Sequence, residues 1–111
     1  MKKTQLGEFE EIVLLVIAVL DEEAYGIAIK KEIEDRIKRN VSIGALQTAF
    51  KRMEDKGFIS SRLGEPTQKR GGKRKRYYAI TTYGVQTLDE IRDIRAKLWS
   101  AIPSSILDYR A

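Results

Sequence analysis

The chain has 111 residues and a net charge of +5, with no cysteine and no histidine. That length specifies one domain with a single core, for which an interface is expected to cover extra apolar surface. The missing residue types exclude disulfides, thiolate nucleophiles, Cys/His zinc sites and histidine acid–base chemistry, and the lack of cysteine is compatible with the cytoplasm, the expected location.

The first predicted helix covers 6–21. Its acidic start, Glu8, Glu10 and Glu11, suits the positive end of the helix dipole. Residues 12–20 are apolar nearly all round, so more than one face is expected to be buried. One face would meet the domain core and another a partner subunit. This run is well short of the roughly 20 residues that span a bilayer. Its acidic flank is wrong for a secretory leader, so no membrane role is expected.

A turn over 21–24 leads to a second helix over 25–38, with Ile27, Ile29, Ile33 and Ile37 as its apolar stripe. Asn40 is expected to end it in a left-handed conformation. A third helix starts at Ser42, a good N-cap, and runs to Lys56 before Gly57. The 3.6-residue period puts Ala45, Leu46, Ala49, Phe50 and Met53 on its core face. The other face carries Gly44, Gln47, Thr48, Lys51 and Arg52. Small and amide groups near the start, Ser42 and Gly44 among them, suit base edges, and the cations beyond suit phosphates. Taken alone, the favoured reading is an ordinary surface helix over a core.

The segments downstream favour the first reading. Residues 58–63 and 77–81 alternate apolar and polar in strand fashion. Between them, residues 65–76 hold six cations and one acid, while the rest of the chain has fifteen of each sign. A balanced domain with its whole surplus on one glycine-centred loop is built for a polyanion. Lys69, Arg70, Lys73, Arg74, Lys75 and Arg76 are the candidate phosphate or minor-groove contacts. The competing reading is a solvated charged loop. Alternation sends one of Tyr77 and Tyr78 into the core and the other to the surface.

Thr81 and Thr82 can cap a fourth helix over 82–102. Its stripe of Val85, Leu88, Ile91, Ile94 or Arg95, Leu98 and Ile102 has no obvious partner inside a three-helix core with a hairpin. Such a helix is usually an association surface. Pro103 ends or kinks it. The chain therefore divides into a reading domain, 1–81, and an association helix, 82–111. No phosphate loop, nucleophile elbow or metal ladder appears, so neither catalysis nor a cofactor or metal is expected.

Four motifs in order resemble the PadR family of bacterial transcriptional regulators. They are Leu6-Gly7-Glu8-Phe9-Glu10-Glu11 before the apolar run, and Ala24-Tyr25-Gly26 at the second helix. Then come Val41-Ser42-Ile43-Gly44-Ala45-Leu46 with Phe50-Lys51-Arg52-Met53-Glu54-Asp55-Lys56-Gly57-Phe58-Ile59, and Gly71-Gly72-Lys73-Arg74-Lys75-Arg76-Tyr77-Tyr78-Ala79-Ile80-Thr81. The chain departs from the family pattern at Ile43, commonly proline, and at Gln47-Thr48, commonly Tyr-Pro. An amide there changes which bases are read.

The resemblance implies a mainly helical winged helix-turn-helix with a small hairpin and a C-terminal dimerisation helix. It also implies a homodimeric DNA-binding regulator, a repressor of an inverted-repeat operator on double-stranded DNA. In such proteins the last helix packs on the partner's first helix. A small aromatic or cationic effector sits in some members at that interface, against a tryptophan of the last helix. Glu11, Leu15, Ala18, Leu88, Ile91, Leu98, Trp99 and Ile102 are the matching candidates here. For Trp99 both plain interface packing and a ligand platform stay open. Two other classes compete: a winged-helix protein-interaction module, and a nonspecific architectural DNA binder.

Overall fold

A computed structural model describes residues 6–65 and 74–109. In chain order it contains α1 (Glu8–Leu20), a 3₁₀ turn (Asp21–Glu23), α2 (Gly26–Ile37), α3 (Ile43–Asp55), β1 (Ile59–Leu63), β2 (Arg76–Ile80), α4 (Thr82–Ala101) and α5 (Ser104–Leu107). The strands form one antiparallel hairpin in which Ile59 faces Ile80 and Ser61 faces Tyr78.

The core draws on every element up to the hairpin. Val13, Leu14 and Ile17 of α1 meet Ile29 and Ile33 of α2, Leu46, Phe50 and Met53 of α3, and Phe58 before β1. Leu15, Ala18 and Val19 of α1 stay exposed. Tyr78 is the inward residue of the tyrosine pair and stacks on Phe50 at 4.1 Å between ring centres. Burial pushes its phenol pKa up.

Several expectations are corrected. Ile27 is exposed because its place two residues before Ile29 puts it on nearly the opposite face of α2, and Ile37 because it lies in the last turn, beyond the part the core covers. Lys38, not Asn40, takes the left-handed conformation (φ 58°, ψ 38°), because α2 ends at Ile37. The Lys38 amide returns to the Glu34 carbonyl at 3.1 Å. Ala45 is exposed, because it sits at the edge of the buried face of α3, which is centred on Leu46, Ala49, Phe50 and Met53. Glu10, from the acidic start of α1, is buried. It accepts from the Gly7 amide at 3.2 Å, and Lys56 at the end of α3 lies 3.7 Å away. Those partners offset the cost of burying its charge.

The connections around α3 are tightly specified. Glu34 accepts from Lys30 and from the Val41 amide, the latter at 3.4 Å, which closes the turn between α2 and α3. These bonds, that from Lys30 first, hold the Glu34 carboxyl below its ordinary pKa. Ser42 Oγ accepts from the Ala45 amide at 3.0 Å, the expected N-cap. At the exit Gly57 has φ +86°, which favours glycine, and the Phe58 amide returns to the Met53 carbonyl at 2.9 Å.

Thr81 fixes the start of α4. Its hydroxyl accepts from the Gly84 amide at 3.0 Å and reaches the Gly57 carbonyl at 2.6 Å. Gly84 is the one buried residue of this 20-residue helix. The radius of gyration is 16.9 Å, against about 13 Å for a compact domain of this length. Pro103 ends α4 and caps the short α5.

Candidate nucleic-acid interface

The outer face of α3 presents two rows. Gly44, Gln47, Thr48, Lys51 and Arg52 are all exposed, as is Ser42 before them. Ile43 and Gln47 form one wall of a groove of about 260 Å³, facing Tyr25, Ile27, Lys75 and Arg76 at the base of the wing. Thr48 and Arg52 face the start of α1 across a second depression, which Glu8 and Phe9 also line. Among the described residues the Gln47 side chain has no hydrogen-bonding partner, so its amide is available to a base. Thr48 differs, since its hydroxyl donates to the Gly44 carbonyl at 3.1 Å. Ser42 is also engaged, through its cap. Lys51 lies 3.3 Å from Asp55 in an exposed pair. Such pairs are worth little in water and are readily exchanged for a phosphate.

Lys69, Arg70 and Lys73 lie outside the described residues. The other three wing cations hold the base of the wing together. Arg74 Nε donates to the Gly64 carbonyl at 2.7 Å, and Arg76 Nη1 donates to Ser61 Oγ at 3.0 Å. Lys75 Nζ sits 4.1 Å from the centre of the Tyr25 ring. Tyr25 in turn meets Tyr77 edge-on at 5.5 Å, and Arg62 lies 4.8 Å over Tyr77. The Tyr78 amide donates to the Ala24 carbonyl at 2.8 Å. The wing is thereby pinned to the start of α2, beside the reading face of α3. Sequence reasoning does not single out Tyr25 and Arg62 as the pieces of this clamp. Tyr25 meets residues far along the chain, Lys75 and Tyr77, while Arg62 meets Tyr77 across the hairpin, and nothing in local pattern announces these contacts.

A second concavity, of about 590 Å³, lies between α1 and α4. Glu11, Leu15, Ala18, Leu88 and Trp99 line it together, with Val85, Arg92 and Ala96, which sequence reasoning does not select as site residues. Glu11 accepts from Arg95 at 2.8 Å across the cleft. Ile91, Leu98 and Ile102 are not part of its lining: Ile91 and Ile102 are half-buried, and Leu98 is 66% exposed. Trp99 is 61% exposed. Among the described residues no helix is long and apolar enough to cross a membrane.

Three helices, a hairpin with a basic loop and a long following helix define a winged helix-turn-helix. Residues 14–90 match the transcriptional regulator PadR-like family, and the chain belongs to it. It is therefore a member of a family of DNA-binding transcriptional regulators.

Solved structures agree. A PadR family transcription regulator from Clostridium difficile R20291 is 28% identical, with a TM-score of 0.70 over 91% of this chain and 99% of that one. A PadR family regulator from Eggerthella lenta DSM 2243 is 26% identical, with a TM-score of 0.67 over 92% and 88%. A PadR-like regulator from Bacillus cereus is 22% identical at a TM-score of 0.70 over 90% and 91%, a likeness of fold alone. No curated protein gives a significant match.

Proposed function

We propose that this protein is a cytoplasmic, non-enzymatic homodimeric repressor. Each subunit places α3 in a major groove and lays the loop 65–76 along the adjacent backbone or minor groove. Residues 1–81 are the reading head and 82–111 the dimerisation helix. Two-fold symmetry then gives an inverted-repeat operator with half-sites about one helical turn, roughly 34 Å, apart.

The observation that carries this reading is the juxtaposition of an uncommitted Gln47 amide with the cationic wing base, facing away from the core. Dimerisation is supported by α4, whose Val85, Ile94, Leu98 and Trp99 are all exposed. An apolar helix face this bare in a small protein calls for a partner. The cleft between α1 and α4 offers a seat for a small aromatic or cationic effector that releases DNA, with the Trp99 face as its platform.

The test is fluorescence anisotropy on the DNA upstream of the protein's own gene, beside a scrambled duplex, across a salt series. A specific regulator binds the upstream fragment at least about a thousandfold tighter at physiological salt. Equal, steeply salt-dependent binding to both would mean an architectural protein. No binding to either would favour a protein-interaction module.

A further inference from the structure

The groove between α3 and the wing base holds two isoleucines that the core does not use. Ile27 is 61% exposed and Ile43 is 38% exposed. Isoleucine is among the residues most often buried, and a lone exposed one needs no explanation. These two share one small groove with Gln47, on the face turned away from the core. Ile43 is the first residue of α3, a position with no local need for a β-branched side chain.

The surroundings say what would cover them. The described lining includes Lys75 and Arg76 but no carboxylate, and Lys51 stands one turn beyond Gln47 on α3. That charge suits a polyanion and repels a second copy of the same basic surface. In the major groove, thymine presents a methyl group, and adenine presents the donor–acceptor pair that a glutamine amide matches.

We propose that Ile43, backed by Ile27, takes the 5-methyl group of a thymine next to an adenine held by Gln47. Ile43 is thus a specificity determinant for an A/T step in each half-site. The inference rests on the reading of α3 as the major-groove helix.

The test starts with selection of bound duplexes from a random pool by the full-length protein. Thymines in the enriched half-site are then replaced one at a time by deoxyuridine, which lacks only the methyl. One position is expected to lose about fourfold in affinity, the worth of one buried methyl-sized group, and roughly fifteenfold when both half-sites are changed. Ile43→Ala should bind the thymine duplex that much more weakly and be indifferent to deoxyuridine, while Ile43→Val should regain most of the response. Indifference of the parent protein to every deoxyuridine would overturn the proposal, as would an equal loss in Ile43→Ala, since the methyl would then be read elsewhere. Failure to enrich any sequence would instead refute sequence-specific DNA reading itself, and the inference with it.

Discussion

Alanine at Gly84 and at Gly44 should have opposite effects. Gly84 lies where α4 crosses the hairpin. An added Cβ would fall inside contact distance of the Phe58 carbonyl oxygen and 2.8 Å from Ile80 Cγ1. A carbonyl at the exit of α3 cannot swing aside as the tip of a long side chain can. Overpacking of this kind costs about 1–3 kcal/mol, and a backbone clash belongs at the upper end. The gain from replacing a helical glycine offsets up to about 1 kcal/mol. The remaining loss of roughly 2 kcal/mol lowers Tm by about 8 °C in a domain of this size. At Gly44 an added Cβ meets nothing within 4 Å. There the same change should raise Tm by up to about 4 °C, yet weaken discrimination of the selected DNA by adding bulk where bases approach. Thermal unfolding by circular dichroism at fixed protomer concentration, with anisotropy on the same samples, reads both. A Gly84→Ala protein melting within about 2 °C of the parent would refute the close approach as the docking determinant. Undiminished discrimination by Gly44→Ala would take the start of α3 away from the bases.

Neutralising Arg74 and Arg76 to glutamine should lower affinity for all duplexes and flatten the salt slope by about 0.9 for each phosphate no longer neutralised. An unchanged slope would remove the described part of the wing from the interface. Gln47→Ala should cost about 1–3 kcal/mol of discrimination between selected and scrambled DNA, with its stability untouched because the side chain is exposed; equal discrimination would disprove base reading there. Glu34, held below its ordinary pKa of 4.5 by Lys30 and the Val41 amide, contributes stability that is present above that value. It is lost as pH falls through the depressed folded value. Acid titrations of the parent and Glu34→Gln should diverge above pH 4.5 and converge below, and parallel curves would refute the role of that carboxylate.

The elements are legible because their signals are local. Ser42, Gly57 and Thr81 punctuate the chain at the positions the structure uses, and the period of Leu46, Ala49, Phe50 and Met53 belongs to a helix with one buried face. The alternation around Tyr77 and Tyr78 locates the hairpin. What stays hidden is non-local. Glu10 reads as one more surface acid, because its partner Lys56 is 46 positions away. Ile37 continues the stripe of Ile29 and Ile33 at helical spacing, and no sequence pattern says where the core stops covering it, whereas the exposure of Ile27 follows from its spacing of two from Ile29. The clamp of Lys75, Tyr25, Tyr77 and Arg62 depends on the hairpin folding back onto the start of α2. The charge of the wing is plain in the sequence, but the part Arg74, Lys75 and Arg76 play in holding its base is not.

The attachment of α4 bears on how a winged domain of this kind could answer to a signal. Its first turn is fixed by Thr81, by Gly84 against Phe58, and by Tyr83 stacked on Phe58 at 5.1 Å. All three act on residues 57–58, the exit from α3. One turn on, Leu88 packs against the core; beyond it the tie is the Glu11–Arg95 pair, and Arg95 is largely exposed, so that tie is weak. Beyond it Leu98 and Trp99 lie open. A helix of about 20 residues spans about 30 Å, so a tilt of about 5° at the anchored end displaces the far end by roughly 2.6 Å. If two subunits meet along α4, the same tilt changes the separation of their reading helices. That separation is what a half-site spacing selects. An occupant of the cleft between α1 and α4 could then act without touching α3, by biasing the angle at Thr81 and Gly84. The recognition helix would keep its internal geometry, and only its distance from its symmetry mate would change.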